Sequence, residues 1–220
     1  MKKYVLFLNF VLFLAVSVGN YFYITGGELV VKSITSVLFV IAGGVNLAYV
    51  MSQKSGRIGF AVCLVSGLFF SMLGDIVLGI SFIGGAALFA VGHIMYLLSY
   101  GKIMPFRMAD FVIGGAIFVG SLCFLLFSPI VGFSSGIIKT ACVIYAFIIS
   151  MMVGKSLCNM ALQKNMLTTV IAIGSVLFFF SDLMLVFDNF TNLNFPSGIL
   201  CLATYYPAQC VLAFGVMIGK

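Results

Sequence analysis

Stretches of about twenty apolar residues follow one another along this chain with little between them, and a backbone built that way has few folds open to it. Spanning a bilayer takes about 20 apolar residues as a helix, against about 10 as a strand. Lipid offers no partner to an unpaired peptide group, so each span must satisfy its own backbone. Turn and charge signals cut the chain into eight stretches of helical length: 4–24, 28–50, 57–78, 82–102, 109–127, 134–153, 165–187 and 197–218. With 63% of residues hydrophobic, 7% charged and a mean hydropathy of +1.28, no soluble domain fits in the remainder. The expected fold is an all-α membrane protein of eight transmembrane helices, a single transmembrane domain over residues 1–220.

Lys2-Lys3 ahead of YVLFLNFVLFLAV also has the form of a secretory leader. The apolar run goes on through Val18 to Ile24 without an A-x-A cleavage site, so it reads as an uncleaved first helix. If the N-terminus is cytoplasmic, that side carries Lys2, Lys3, Lys54, Arg57, Lys102, Arg107, Lys155, Lys164 and Lys220, and the outer side only Lys32 and Lys139. The positive-inside rule therefore predicts that both termini are cytoplasmic. The net charge of +6 is this topological signal together with attraction to anionic membrane lipids. It does not point to nucleic acid, because a basic stripe with interleaved surface aromatics is absent.

Four weaker patterns point to no separate chemistry. The six cysteines lie in or beside apolar spans without a CxxC and read as small hydrophobes. His93 is the single histidine, which argues against zinc chemistry, so no metal or cofactor is expected. Gly132-Phe133-Ser134-Ser135-Gly136 has the spacing of a nucleophile elbow, but it joins two helices where that motif needs a strand-to-helix turn and a histidine partner. Gly215 and Gly219 have the spacing of a close helix packing pair.

Asp75 in FFSMLGDIVLGI and Asp182 in LFFFSDLMLVFD stand out against this background. A charge at the centre of a span costs about 2.5 to 3.5 kcal/mol even on lenient scales, and such residues mark reaction or translocation sites. Lys32 precedes Lys139 by the same 107 residues that separate Asp75 from Asp182, and Arg57 and Lys164 share the offset. Four helices separate the members of each pair, which keeps the direction of travel. The pattern is that of a parallel 4+4 duplication, with repeats 1–107 and 108–220, about an axis along the membrane normal. The two aspartates and two lysines fall at one depth and offset one another only by facing the bundle interior or a wet cavity.

Other polar residues can join them. His93 and Tyr96 share a face of the fourth helix, and Tyr205 and Gln209 share a face of the eighth, where Pro207 can free backbone carbonyls. Tyr206 adjoins Tyr205, and Tyr145 follows Lys139 in the sixth helix. Ser71 and Ser181 supply a hydroxyl near each acid. Tyr4, Tyr21 and Tyr23 read as interfacial aromatics, and Asp110 and Asp188 as solvated helix-end charges.

Gly74-Asp75-x-x-Leu78, Phe89-x-x-x-His93-x-x-Tyr96, Tyr145 with Ser150-Met151, Ser181-Asp182-x-x-Leu185 and Tyr205-Tyr206-x-Ala208-Gln209 occur in an order that resembles the YhhN-like membrane proteins, which include the lysoplasmalogenases of animals and bacteria. Two departures are Ser33 after Lys32, where the family often has proline, and Pro207 inside the last motif. The resemblance implies hydrolysis of the vinyl ether bond of a lysophospholipid, releasing a fatty aldehyde, in what would be a bacterial cytoplasmic membrane. One carboxylic acid and one carboxylate suffice for an oxocarbenium-like transition state, as in glycosidases. On this reading Asp75 and Asp182 are catalytic. Lys32 and Lys139 suit the substrate phosphate, and His93, Tyr96, Tyr145, Tyr205, Tyr206 and Gln209 hold water or orient the acids. A proton-coupled transporter or lipid translocator would use the same aspartates.

Overall fold

The computed structural model describes residues 2–218, so Lys220 and Gly219, invoked above for orientation and for helix packing, lie outside the described residues. The described residues form eight α-helices, each long and apolar enough to cross a membrane: α1 Lys2–Ile24, α2 Leu29–Ser52, α3 Ile58–Leu78, α4 Phe82–Ile103, α5 Met108–Phe127, α6 Gly136–Gln163, α7 Met166–Phe190 and α8 Ser197–Ile218. Short connections reverse the chain after each helix, so neighbours in sequence run antiparallel. One end of the bundle collects the start of α1 and the ends of α2, α4 and α6, and is called here the N-terminal end.

The closest neighbours are α3 with α4, α7 with α8, and α5 with α6. α2 packs on α1, α3 and α8, and α6 on α4 and α7. The pairings α1–α2, α2–α3 and α3–α4 recur as α5–α6, α6–α7 and α7–α8, and α4–α6 recurs as α8–α2. These are the pairings a parallel duplication would give. The halves part company at α8, which also meets α1 and α3. The main core runs through α1–α4 and α6–α8, with Phe39, Leu64, Leu68, Tyr96, Ile171, Phe178 and Leu212 at its centre.

α5 approaches only α6 backbone to backbone. Gly114 and Gly154 lie where the two helices meet, and a Cβ on Gly154 would collide with the Gly114 backbone. Toward α7, α5 extends only side chains, with Phe124 and Phe187 ring centroids 5.3 Å apart. This separation leaves room for a cavity.

The expected spans match the helices to within about three residues except at the end of the sixth, where α6 continues ten residues beyond residue 153, to Gln163. Asp110 was read as a solvated helix-end acid, and the structure corrects this through its pairing with Lys155. Both are buried and paired, with Lys155 Nζ 2.9 Å from Asp110 Oδ2. Lys155 also donates to the Pro105 carbonyl, and Asp110 accepts from the Arg107 backbone N–H at the start of α5. A lysine whose charge is answered inside the bundle need not end a helix.

Residues 132–135 form a loop ahead of Gly136, the first residue of α6, and Ser135 accepts from the Ile138 N–H as the N-cap of α6. α8 runs through Pro207. α1 is peripheral, burying Val16 and Asn20. It is held by Asn9 and Asn46, which exchange side-chain hydrogen bonds, and by Asn20 donating to the Leu202 carbonyl.

Candidate active site

Asp75, in the last turn of α3, faces α2 and α8. Its Oδ1 lies 3.3 Å from Lys32 Nζ, and its Oδ2 accepts from Ser36 Oγ at 2.6 Å and Tyr205 hydroxyl at 2.7 Å. Every partner is a donor, and the carboxylate is 2% exposed. Lys32 was expected to be available to a phosphate, but it is buried and engaged with Asp75. Tyr206 extends the cluster by donating to the Lys32 carbonyl and lying 3.4 Å from Ser36 Oγ.

Asp182, on α7, is surrounded differently. Tyr145 of α6 donates to its Oδ2 at 2.7 Å, and His93 of α4 sits behind, with Nε2 2.8 Å from the Tyr145 oxygen and 3.4 Å from Asp182 Oδ2. A tyrosine hydroxyl has one proton, and here it goes to the carboxylate. The Tyr145 oxygen is then the acceptor toward His93, whose Nε2 carries the hydrogen. The Asp182 side chain is 15% exposed, whereas His93 is fully buried. Both partners address Oδ2, which leaves Oδ1 for a ligand.

That exposure is to a cavity of about 520 Å³, within the usual range for small-molecule sites. Leu78, Phe89, Ile117, Phe124, Ile149 and Val186 represent the apolar walls contributed by α3 to α7, and Tyr145 and Asp182 are the polar features at one side. The two acids were expected to face one cavity, but only Asp182 lines this one. Asp75 is sealed behind Tyr205, whose ring meets Phe89 at 5.9 Å and Phe178 at 5.3 Å, and Phe178 in turn meets His93 at 4.5 Å.

The two centres share a junction at Tyr96. Its hydroxyl donates to Gln209 Oε1 at 2.8 Å and lies 3.4 Å from Ser71 Oγ, while the Ser71 carbonyl lies 3.5 Å from the Tyr205 hydroxyl. The ring fits because position 67 is glycine, where a Cβ would strike it. Lys32, Asp75, His93, Tyr96, Tyr145, Asp182, Tyr205, Tyr206 and Gln209 therefore lie in one connected buried region. Lys139 does not join them: it is exposed in the first turn of α6, and no carboxylate pairs with it among the described residues.

Neither serine named beside the acids bonds its neighbour, since Ser71 turns to Tyr96 and Ser181 to Cys201 Sγ at 3.4 Å. The hydroxyl that does serve Asp75 is Ser36, which the sequence reading missed. Its position one turn after Lys32, on the same face of α2, was the available signal.

The model of the YhhN family matches residues 27–216, from just before α2 to near the end of α8. The chain belongs to the YhhN family. The match leaves α1 outside it and takes in every residue of the two acid centres. No solved structure matches the chain.

Proposed function

We propose that this member of the family hydrolyses the vinyl ether bond of a single-chain lysophospholipid, a lysoplasmalogen, with Asp182 as the proton-transfer group. The observation that carries this reading is a carboxylate at the wall of an apolar intramembrane cavity, backed by a tyrosine and a histidine. The cavity takes the alkenyl chain, and α5, which touches α7 through side chains alone, is the wall past which a lipid enters from the bilayer.

In the reaction, Asp182 as the acid protonates the alkene carbon distant from oxygen, and the carbon next to oxygen becomes an oxocarbenium ion. Water adds there and returns a proton to the Asp182 carboxylate. The resulting hemiacetal breaks its carbon–oxygen bond to the glycerol, and its hydroxyl proton passes to the departing alcohol. One water is consumed, and the products are a fatty aldehyde and a glycerophospho-head group. Tyr145 and His93 hold Asp182 and steady its charge as the proton leaves and returns, and the proton transfer by Asp182 itself is worth typically about 10² to 10⁴ in rate.

Asp75 acts in this scheme as a positioning residue: surrounded by Lys32, Ser36 and Tyr205, it fixes the Tyr205 side of the aromatic wall. In this reading Lys139, exposed and two residues before the cavity residue Ala141, takes the phosphate.

The test is to incubate purified protein in lipid nanodiscs with a lysoplasmalogen and with its ester-linked analogue, and to measure fatty aldehyde. Aldehyde from the vinyl ether, lost in Asp182→Asn, is the expected result. Absence of aldehyde together with movement of the lipid between leaflets would overturn the reading in favour of a translocator.

A further inference from the structure

Hydrolysis within a bilayer has two supply lines, because the lipid arrives from the membrane and the water does not. The cavity beside Asp182 is lined almost wholly by apolar side chains, and a water molecule needs two to four polar partners to stay. The opposite side of the same acid is polar. His93, Tyr96 and Tyr100 occupy positions i, i+3 and i+7 of α4, so one face of that helix carries polar groups over two turns toward the N-terminal end. All three are fully buried.

Partners from three helices line this face. Gln209 of α8 bonds Tyr96, Ser175 of α7 lies 2.9 Å from the Tyr100 hydroxyl, and Asn159 of α6 donates to the Tyr100 carbonyl at 3.0 Å. One turn before Asn159, Lys155 holds Asp110 and the Pro105 carbonyl at the N-terminal end of the bundle. Beside this face stand three buried polar atoms with no hydrogen-bond partner: His93 Nδ1, Gln209 Nε2 and Asn159 Oδ1. They are three of the six such side-chain atoms among the described residues. An unpaired buried polar atom costs about 1 to 3 kcal/mol, and inside a protein ordered water is the usual partner. Each of the three belongs to α4 or to a side chain bonded to its polar face, between His93 and Tyr100.

We infer that the α4 polar face is a hydration path that carries water from the N-terminal end of the bundle to Asp182, separate from the apolar route of the lipid. Its purpose rests on the hydrolase reading, whereas its existence does not. Tyr96 and Tyr100 are its middle, and Asn159 controls the inner segment.

The experiment is radiolytic hydroxyl labelling of the full chain in nanodiscs, with the sample mixed into oxygen-18 water just before a short X-ray pulse. Side chains next to exchanging water acquire the heavy oxygen whether or not they touch bulk solvent. Tyr96 and Tyr100 should label, and Phe60 and Leu212, which are equally buried in the apolar core, should not. Equal labelling of all four, or none at the tyrosines, overturns the path. Asn159→Leu should lose the label at Tyr100 and Tyr96, and Asn159→Ser, which keeps a polar group and adds room, should retain it. Unchanged labelling in Asn159→Leu also overturns the path. Should Asn159→Leu fail to fold, the contrast within the unmodified protein decides alone. Labelling in a protein that makes no aldehyde leaves the path standing and removes the hydrolase reading. Aldehyde production without labelling does the reverse.

Discussion

Asp75 meets a lysine, a serine and a tyrosine inside the bundle. Asp182, 107 residues later in the other half, meets a tyrosine and a histidine at the edge of a cavity. The first carboxylate has a protein donor on each oxygen, and the second keeps an oxygen free. Both centres draw a tyrosine from a neighbouring helix, so the difference lies in the cation: Lys32 on α2 lies within reach of Asp75, while Lys139 at the corresponding place on α6 faces outward. Around Asp182, α6 supplies Tyr145 and α4 supplies His93, whereas around Asp75 α2 supplies Ser36 and Lys32. An acid neutralised in place is suited to hold structure, and an acid lacking a permanent counterion beside an apolar cavity is suited to exchange a proton.

The sharpest way to break this contrast is Asp182→Asn. It should lower aldehyde release by roughly 10² to 10⁴, the usual worth of a positioned acid or base, with thermal unfolding of the protein unchanged. An amide keeps the shape and the acceptor toward Tyr145 but has no acidic proton. Turnover within a factor of a few of the unmodified protein would assign Asp182 to the structural side of the comparison.

Next comes the pair on the other side. Lys32→Met leaves Asp75 as an uncompensated buried charge, and removing one member of a buried ion pair costs typically 3 to 5 kcal/mol. The stability loss should exceed that of Lys139→Met, which leaves nothing unpaired. Combining Lys32→Met with Asp75→Leu should recover part of the loss, since an apolar pair of similar volume avoids the desolvation. Denaturant or thermal unfolding in detergent reads all four proteins. Equal stability of Lys32→Met and Lys139→Met would show that the Lys32–Asp75 contact is not the fixed pair described.

A smaller effect separates the two tyrosines. Tyr145→Phe removes the donor that holds Asp182 and should lower turnover by roughly tenfold, in keeping with about 1.5 kcal/mol for a hydrogen bond to a charged group. Tyr205→Phe removes one of three donors to Asp75, so its effect should fall on stability more than on rate. The reverse pattern, with Tyr205→Phe slower and Tyr145→Phe less stable, would exchange the roles of the two centres.

Much of this was legible in the sequence because the bilayer enforces simple rules. Helix number followed from span length, and the inward placement of Asp75 and Asp182 from the cost of their charge. What stayed hidden depended on contacts between distant segments. The extension of α6 past 153 turns on Lys155 finding Asp110 of α5, and that pairing leaves no local pattern. The cavity is equally invisible, since its walls are ordinary Leu, Phe, Ile and Val positions of five helices. Nor does a sequence show which lysine of a pair with equal offsets turns inward. Lys32 is followed one turn later by Ser36 and has Tyr206 at its carbonyl, whereas Lys139 lies in the first turn beside an exposed loop.

The smallest expected effect belongs to Lys139. Exposed and screened, it should contribute well under the buried pair, at about 0 to 1 kcal/mol, as surface ion pairs generally do. A phosphate held there is bound equally before and at the transition state, so Lys139→Met should raise KM a few-fold and leave kcat unchanged. Because the contact is exposed, the KM difference between the two proteins should also shrink as salt is raised, with a screening length of about 8 Å at physiological ionic strength. Steady-state aldehyde release at low and high salt measures both. A fall in kcat with constant KM would place Lys139 nearer the reacting atoms than its outward position allows, and would make the two halves of the molecule more alike than the contrast between Asp75 and Asp182 suggests.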